Sequence, residues 1–589
     1  MSEYKATIKD IQFLLKNITS KENNPSEYSD PELTNQIFQE AGKLASNVLA
    51  PLNKIGHQKG AILENGIVRM PSGFKNAYKQ YIDAGWGSVA AKKTYGGQEM
   101  PWTIVASLNE IWQSANMSFA DNLMLTQGAI ELLEEHATEE QKKKYLPKMI
   151  SGEWSGTMNL TEPQAGSDLS LLKCKAIPNN GRYNIHGNKI YITHGDQDMS
   201  ENIIHLVLAR LPDAPPGNKG ISLFIVPKKL ISNEGSQELN DIRVVSLEHK
   251  LGHLASPTCV LAYGDNTGAT GELIGEKNGG LKTMFTMMNN ARLNVGIQGV
   301  AIAERAFQQA HQFAFTRLQG KSIDSLNHNE TVAIIDHPDV KRMLLDMKAR
   351  IEAMRALAIE TANYLDYSKD FDKVSLQNKK YLDFLTPIIK AWCTDQGVLI
   401  ASSGIQVHGG MGFIEETGAA QHYRDARILP IYEGTNGIQA LDLLRRKLTL
   451  DDGLVLDSII KEINVMAEKC LNVQGKDIPQ MAKSVNEATK ILKETADWLL
   501  VAWKKDKRIA AAGATPFLEM CGNIFGGWMM MKSALKASEY IKKGDESIFY
   551  SDKIATASFY IDNIMIPSLG LKNTVRNAHK NLDIIRNIQ

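Results

Sequence analysis

The sequence GRYNIHGNKIYITHG, residues 181–195, marks the change in texture that decides the fold. Four runs of the same kind follow it along the chain: NIIHLVLARL, GISLFIVPKKL, IRVVSLEH and TCVLAYG. Short runs that are rich in Val, Ile, Leu and Tyr and are divided by Gly, Asn, Asp and Pro predict β-strands. We therefore expect an antiparallel β domain over residues 158–270.

Helical periodicity dominates on both sides of this β domain. QSANMSFADNLMLTQGAIELLEEHA precedes it, and Thr138 with Gln141 then has the spacing of a capping box. After it, GELIGEKNGGLKTMF returns the chain to long helices, with an apolar stripe predicted through Leu281, Phe285 and Met288. The sequence therefore predicts a mainly α fold with a central β domain.

A chain of 589 residues is too long for one hydrophobic core, so several domains are expected. We predict an N-terminal helical extension (1–39), an N-terminal helical domain (40–157), the middle β domain (158–270), a C-terminal helical bundle (271–450) and an appended helical domain (451–589). The appended segment holds 19 Lys plus Arg against 17 Asp plus Glu, a net charge of +2, which argues against a basic nucleic-acid-binding tail. Its Trp498, Trp503, Trp528 and Met529–Met531 are expected in a core or interface.

Composition excludes several classes of protein. The chain is 43% hydrophobic and 22% charged, as folded globular proteins are, and its 66 Lys plus Arg equal its 66 Asp plus Glu. No global basic field is therefore available for nucleic acid or anionic lipid. The five cysteines lack metal-ligand spacing and are expected to be buried free thiols, with no metal site. The N-terminus lacks a signal-peptide core, and no apolar run reaches the length of a membrane span, so we expect a cytoplasmic protein.

Standard nucleotide and hydrolase motifs are missing. GWGSVA at 85–90 matches a dinucleotide fingerprint but follows a helical segment instead of a strand, and Gly320-Lys321-Ser322 lacks the first Gly of a phosphate-binding loop. There is no G-x-S-x-G elbow and no H-E-x-x-H helix. These observations disfavour P-loop enzymes and two common classes of hydrolase.

Three loops carry residues that suit chemistry. MNLTEPQAGSDLSLL (158–172) combines hydroxyls with a Gly that lets a ligand approach the backbone, and QVHGGMGFIEETG (406–418) has paired glycines after a helix. DARILPIYEGTNGIQALDLL (425–444) places one carboxylate, Glu433, between an apolar Ile-Tyr pair and a Gly-Thr-Asn-Gly turn. Desolvation there would raise the pKa of Glu433, as a general base near neutrality requires. Each loop alone is equally compatible with an ordinary turn, a helix cap or a solvated Glu.

Taken together and in order, these segments resemble the acyl-CoA dehydrogenase family over residues 40–450. The matching motifs are LTEPQAGSD (160–168), YITHG (191–195), KLGHLASPT (250–258), ARLNVGIQGVAIAERA (291–306), RLQG (317–320), QVHGGMGF (406–413) and IYEGTNGIQ (431–439). The appended domain and YEGTNGIQALDLLRRKL are most similar to the long branch that contains 3-methylmercaptopropionyl-CoA dehydrogenases and bacterial fatty acyl-CoA dehydrogenases. The resemblance implies the family's plan of a helical domain, a β-barrel-like domain and a helical bundle.

The resemblance also implies FAD as cofactor and assigns individual residues. Those expected to contact FAD are Thr161, Gly166, Ser167, Tyr191, Thr193, Arg317, Gln319, Gln406, Gly409, Gly410, Thr435 and Asn436. Of these, Arg317 and Gln319 match positions that reach the FAD of a neighbouring subunit. Arg292, Gly434 and Asn289 are expected on the substrate side, although Asn289 stands where several relatives carry Asp.

Glu433 matches the family's catalytic base. The resemblance implies that it takes the α-proton of an acyl-CoA thioester while a β-hydride passes to flavin N5, which gives a trans-2-enoyl-CoA. Its backbone N–H would help to stabilise the developing enolate oxygen. Should Glu433 not be the base, Glu415 and Glu416 are the next candidates.

The expected substrate is a saturated fatty acyl-CoA of open chain length in a β-oxidation type of reaction, with 3-methylmercaptopropionyl-CoA as the alternative. The expected electron acceptor is an electron-transfer flavoprotein, and the expected assembly is a homodimer ahead of a tetramer. Competing interpretations are a flavoprotein relative without dehydrogenase activity, such as a DNA-associated damage-response protein, and a flavin-dependent oxidase or nitroalkane-type enzyme on the same scaffold. The retained Glu433 argues against loss of dehydrogenation, and the neutral tail argues against association with DNA.

Overall fold

The computed structural model describes residues 3–19, 30–231, 237–323, 330–368 and 373–588. These residues fall into two compact units. The first, here called the N-terminal unit, holds Glu3–Ala6 and Glu32–Asn294; the second, the C-terminal unit, holds the remaining described residues.

The N-terminal unit begins with helices and ends with a sheet. Its α-helices are Pro31–Leu44, Ala50–Lys59, Phe74–Asp83, Trp102–Ala115, Met117–His136 and Glu139–Ile150, and the first two join through a π-helical stretch, Ala45–Leu49. The predicted capping box is present, because Thr138 Oγ1 accepts from the N–H of Gln141 and the side chain of Gln141 accepts from the N–H of Thr138. A short hairpin, Ile62–Glu64 with Ile67–Arg69, follows the second helix.

The predicted runs form the central sheet. In spatial order, its strands are Ile242–Leu247, Thr258–Tyr263, Arg182–Thr193, Ala269–Ile274, Ile221–Pro227, Asn202–Arg210 and Trp154–Asn159, with Lys175–Asn179 beside Arg182–Thr193; a separate pair is Lys229–Ile231 with Gln237–Leu239. The strand Arg182–Thr193 is the junction of this sheet. Its first half pairs with Ala269–Ile274 and its second half with Thr258–Tyr263, so both ends of the domain depend on it.

One edge of the sheet departs from the antiparallel prediction. Trp154–Asn159 runs parallel to Asn202–Arg210, with Thr157 opposite His205. Parallel neighbours need a long crossover connection. The loop after Asn159 and the strands Lys175–Asn179 and Arg182–Thr193 supply it, and they carry LTEPQAGSD and YITHG with them.

The C-terminal unit is helical. Its α-helices are Ile8–Asn17, Pro338–Asp366, Lys373–His408, Ala419–Ala426, Asn436–Asp442, Leu454–Leu471, Asp477–Lys505, Lys507–Ala512, Ala514–Lys542, Ile548–Tyr560, Ile566–Ser568 and Leu571–Asn577, with π-helical stretches at Leu443–Leu448 and Ile561–Met565. The long helix Gly280–Thr316 contributes its residues from Val295 onward. The prediction of a mainly α fold with a central β domain and extra C-terminal helices is confirmed.

The N-terminal helix Ile8–Asn17 is tied to this unit by buried charges. Asp10 accepts from Arg355 at 2.6 Å and from Lys553. Arg355 also binds Glu304 at 2.7 Å, and Lys553 also binds Glu352 at 3.0 Å. Burial opposes the charge of Asp10, but Lys553 and Arg355 outweigh it and hold the pKa of its carboxyl well below the ordinary value. A segment distant in sequence is thereby fixed to the appended helices.

The burial of individual side chains tests the sequence patterns. Trp528 and Met529–Met531 are buried as predicted, whereas Trp498 and Trp503 are only half-buried; all five cysteines are buried and free. The stripe predicted through Leu281, Phe285 and Met288 is wrong by about one position, since the buried side chains there include Met284, Met287 and Ala291. Among the described residues, no helix has the length and apolar character needed to cross a membrane.

Candidate active site

The loop LTEPQAGSD follows the strand Trp154–Asn159 in the N-terminal unit. Thr161 is half-buried, and its carbonyl accepts from the N–H of Ile190 at 2.9 Å, whereas Gly166 and Ser167 are exposed. A Cβ added at Gly166 would meet the chain only at Thr161 Cγ2, 4.0 Å away. The loop therefore presents hydroxyls and open backbone, which suits close approach of a polar ligand.

A buried ion pair holds this loop in place. Lys189 is fully buried, and its ammonium donates to Glu162 Oε1 at 2.9 Å and to the carbonyl of Leu160 at 3.0 Å. The other oxygen of Glu162 accepts from the N–H of Lys173 at 2.7 Å. Burial opposes the Glu162 charge, but Lys189 and the backbone donors lower the pKa of its carboxyl. Neither residue was predicted from the sequence; for Lys189 the available signal was a lone Lys in phase with buried Ile185 on a strand.

The strand Arg182–Thr193 leads into strained backbone. Tyr191 has φ +59° and is 60% exposed, and His194 has φ +48° and is buried. Left-handed backbone costs about 1–2 kcal/mol per residue outside glycine. Thr193 lies half-buried between them, and His194 Nε2 donates to the carbonyl of Ser118 at 3.0 Å. Tyr191 thus projects at the surface of the same unit as the LTEPQAGSD loop.

Asn289 and Arg292 lie within one turn of the helix Gly280–Thr316. Asn289 is exposed and Arg292 half-buried. Beside them Asn290 is buried and donates to Glu131 at 2.5 Å, and Asn294 donates to Asn290 Oδ1 at 2.7 Å. These amides order the helix face next to the predicted substrate residues, and the sequence analysis did not single them out.

Glu433 lies in a sharp turn of the C-terminal unit, immediately before the helix Asn436–Asp442. Its φ is +56° and that of Gly434 is +83°, so two consecutive residues are left-handed. Glu433 is half-buried. Thr435 Oγ1 then caps the helix by accepting from the N–H of Ile438 at 3.3 Å. A non-glycine residue keeps this strained conformation only where the surrounding structure enforces it.

The turn is anchored by the helix Lys373–His408. Lys390 is fully buried and donates to the carbonyl of Gly434 and to Asn436 Oδ1, each at 2.8 Å. The amide of Asn436 donates to the carbonyl of Ala391 at 3.0 Å and to Asp395 at 2.8 Å. The side chain of Asn436 is thus engaged with the helix, and its predicted contact with a cofactor stays a prediction.

Two other predicted segments meet elsewhere in the same unit. The exposed Gln406, Gly409 and Gly410 end the helix Lys373–His408, and the exposed Arg317 and Gln319 follow the helix Gly280–Thr316. The two helix ends are in contact, because Phe313 stacks on His408 with ring centroids 4.5 Å apart and Gln309 donates to the carbonyl of Thr417 at 2.6 Å.

Glu415 and Glu416, the alternative carboxylates, are both exposed. Glu415 forms an ion pair with Arg424. A solvated carboxylate that is paired with arginine favours its charged form and is a poor base. Glu433, by contrast, is half-buried.

Four family models cover most of the chain. They are described as the acyl-CoA dehydrogenase N-terminal domain (residues 34–153), middle domain (157–265) and C-terminal domain (278–448), and as acetyl-CoA dehydrogenase C-terminal like (459–583). A 3-methylmercaptopropionyl-CoA dehydrogenase from Ruegeria pomeroyi is 46% identical over 571 residues, which are 96% of each chain. The chain belongs to the acyl-CoA dehydrogenase family.

Two further comparisons extend over nearly the whole acyl-CoA dehydrogenase chain. The broad-specificity linear acyl-CoA dehydrogenase FadE5 of Mycobacterium tuberculosis is 32% identical and spans 99% of this chain and 98% of its own. The structure of an acyl-CoA dehydrogenase complexed with FAD from Bacillus anthracis has a TM-score of 0.74 at 21% identity and covers 98% of this chain and 93% of its own. The predicted fold, including the appended helical domain, is confirmed.

The family assignment confirms that this is an oxidoreductase of the acyl-CoA dehydrogenase type, and FAD is the cofactor of the family. The donors in this chain fit such a group. Open glycine backbone and hydroxyls at Gly166 and Ser167 suit a polar cofactor, and the exposed guanidinium of Arg317 suits a diphosphate. Among the described residues, no cluster of His, Cys, Asp and Glu could hold a metal ion.

His194 makes the stability of this acyl-CoA dehydrogenase depend on pH. Burial lowers the pKa of His194 to about 4, against the opposing charge of Asp121. The unfolded chain therefore binds a proton at a pH where the folded chain does not, so stability is complete above about pH 6.5 and is lost toward pH 4. We expect His194→Asn, which tolerates the positive φ, to remove about 3 kcal/mol of this loss.

Thermal midpoints at pH 7.5 and pH 4.5 measure the effect. The drop between the two should be smaller for His194→Asn than for the unmodified protein. The exposed His249, changed to Asn, is the control and should leave the drop unchanged. Equal drops in all three proteins would show that His194 is not the responsible group.

Proposed function

We propose that this enzyme converts an acyl-CoA thioester to the trans-2-enoyl-CoA, with Glu433 as the base that removes the α-proton. The observation that carries the proposal is the turn at Glu433. It holds the half-buried Glu433 on left-handed backbone; buried Gln439 donates to the carbonyl of Glu433, and buried Lys390 donates to that of Gly434. The resemblance of IYEGTNGIQ to the family motif that carries the base supports the same residue.

The cofactor-contacting residues are proposed for each unit separately. In the N-terminal unit Thr161, Gly166, Ser167, Tyr191 and Thr193 are exposed or half-buried, with hydroxyls and backbone available to FAD. Bound FAD supplies the acceptor for the hydrogen that leaves the β-carbon. In the C-terminal unit, Thr435 and Asn436 would fix the loop next to the base.

The proton step belongs to the chain itself. The α-proton of a thioester is weakly acidic, so the carbonyl oxygen must be stabilised as charge develops on it. We assign the backbone N–H of Glu433 as one donor to that oxygen and its carboxylate as the acceptor of the proton. Arg292 and Asn289 are proposed to bind the CoA portion, where a cation can pair with phosphate. An electron-transfer flavoprotein is the proposed onward acceptor.

Glu433→Gln is the direct test. The change keeps the volume and an oxygen acceptor but removes the basic carboxylate, so anaerobic bleaching of the bound flavin by acyl-CoA should slow by about 10²- to 10⁴-fold. FAD content and acyl-CoA binding should persist. Glu415→Gln is the matched control and should bleach at the normal rate. Rapid bleaching of Glu433→Gln would reject Glu433 as the base.

Two substrate classes are supported by different observations. Identity of 46% over 96% of the chain with the Ruegeria pomeroyi enzyme favours 3-methylmercaptopropionyl-CoA. The FadE5 relative, named for broad specificity toward linear acyl-CoA, favours straight fatty acyl-CoA of the β-oxidation type. We propose a saturated acyl-CoA and keep the thioether as the second candidate.

Pentanoyl-CoA and 3-methylmercaptopropionyl-CoA form a matched pair, because they differ only by a sulfur in place of one methylene. A pocket that selects only chain length should turn the two over with kcat/KM values within about tenfold of each other. A larger preference for the thioether would assign the chain to the second candidate. Octanoyl- and palmitoyl-CoA complete the series. If the enzyme turned over none of these thioesters, the proposed reaction would be overturned.

We also propose a homodimer in which each cofactor site is completed by a second copy. The two helix ends that carry Arg317 and Gly410 are surrounded by exposed apolar side chains. They are Phe315, Leu318, Met411, Phe413 and Ile414, with exposed fractions from 45% to 87%. An apolar patch of this kind on a folded protein is typical of a surface that another molecule covers.

Gly410→Ala tests that assembly. A Cβ at Gly410 would meet no other described atom within 4 Å, so the chain itself should fold normally. If a partner's cofactor lies against this backbone, FAD retained after gel filtration should fall several-fold. Gly570→Ala, on an exposed turn of the appended domain, is the control. An FAD-replete monomer in sedimentation, or full FAD retention by Gly410→Ala, would contradict the shared site.

A further inference from the structure

The left-handed backbone at Glu433 is not favoured by the local sequence. Glu433 and Gly434 are both left-handed, a conformation that has a steric cost at a residue with a Cβ such as Glu433. Such a conformation persists only where the surroundings enforce it. The contacts of the two carbonyls identify what enforces it in this chain.

Both carbonyls of the turn face buried donors. Gln439 Nε2 donates to the carbonyl of Glu433 at 3.1 Å and to that of Gly434 at 3.3 Å, and Lys390 Nζ donates to Gly434 at 2.8 Å. The Lys390 bond is the shortest of the three and carries a positive charge, so it is the strongest. A rotation of the Gly434 peptide would break it.

Lys390 is itself fixed on several sides. It is fully buried, and it also donates to Asn436 Oδ1 at 2.8 Å. Its own carbonyl accepts from Thr394 Oγ1 at 2.8 Å, and two residues further on Trp392 Nε1 donates to Asn523 at 3.0 Å. The lysine therefore reaches the turn from a helix segment that cannot readily shift.

A neutral donor would satisfy a carbonyl without the cost of burying an ammonium group. Burying a charge is unfavourable unless its hydrogen bonds are retained, so a buried lysine penalises any displacement of its acceptors. Here the acceptors are the carbonyl of Gly434, directly after the base, and the side-chain oxygen of Asn436, three positions after it. The placement couples the cation to the position of the Glu433 carboxylate.

We propose that Lys390 is the positioning residue of the catalytic base, which holds the Glu433–Gly434 turn in its reactive conformation through the Gly434 carbonyl. The inference rests on the proposed role of Glu433 and adds a second residue to the proton-transfer step. Lys390 acts through the turn, so its removal should impair the rate of proton abstraction more than the binding of acyl-CoA.

The experiment is a double-mutant cycle on the FAD-bound enzyme with Lys390→Met and Glu433→Gln. Lys390→Met should slow anaerobic flavin bleaching by about 10- to 100-fold, as misplacement of a reacting group by about 1 Å does. The acyl-CoA concentration at half-saturation should change less than threefold. In the Glu433→Gln background, the same change should have little further effect, because the base through which Lys390 acts is already gone.

Two other variants complete the test. Lys390→Gln is the milder variant and should fall between the unmodified protein and Lys390→Met. Lys532→Met, a largely buried lysine that binds Ile18 and Glu360, is the control for stability and should keep the bleaching rate.

The outcomes separate the two proposals. If Glu433→Gln bleaches rapidly, the proposed function fails whatever Lys390 does. If Glu433→Gln is slow but Lys390→Met and Lys390→Gln bleach normally, Lys390 is not a positioning residue. Effects of Lys390→Met that simply multiply with those of Glu433→Gln would also overturn the inference, because they would show that the lysine acts independently of the base.

Discussion

A buried ammonium group that must keep its acceptors is the constraint on which both candidate loops depend. Lys189 binds the loop that contains Thr161, and Lys390 binds the turn that contains Glu433. Neither loop has a ladder of backbone hydrogen bonds comparable to that of a strand or helix. An unsatisfied buried charge costs several kcal/mol. A movement of either loop that broke its hydrogen bonds to the lysine would therefore be strongly unfavourable. Hydrogen bonds to a buried lysine can thus fix the position of a glycine-rich loop.

The helix that carries Lys390 is in turn supported by the appended domain. Trp392 packs against Gly522, where an added Cβ would lie 2.2 Å from the Trp392 ring, and Asn523 accepts the indole N–H. Only glycine leaves room for this approach. The segment matched as acetyl-CoA dehydrogenase C-terminal like therefore packs against the helix that anchors the Glu433 turn, and it contributes to the structure around that turn.

Sequence patterns were informative where periodicity and turn residues agree, as in the strand Arg182–Thr193 and the capping box at Thr138. They failed where the outcome depends on which face of a helix meets a neighbour, as in the stripe at Leu281 that is displaced toward Met284. They also failed at the parallel edge strand Trp154–Asn159, because pairing direction follows from the path of the whole chain. The candidate site residues followed from family motifs, whereas the acceptors of Lys189 and Lys390 are long-range contacts that no local pattern encodes; the strand pattern marks Lys189 as buried but does not identify its partner.

The distribution of backbone strain gives an independent reason to regard these loops as functional. Ten non-glycine residues of the described chain have clearly positive φ; seven are Asn, Asp or His, which accept that conformation most readily. The other three are Glu99, Tyr191 and Glu433. Two of these three lie in family motifs: Tyr191 in YITHG and Glu433 in IYEGTNGIQ. Gly or Asn would adopt this backbone at a lower steric cost, so the presence of a phenol and a carboxylate at these positions supports the roles proposed for Tyr191 and Glu433.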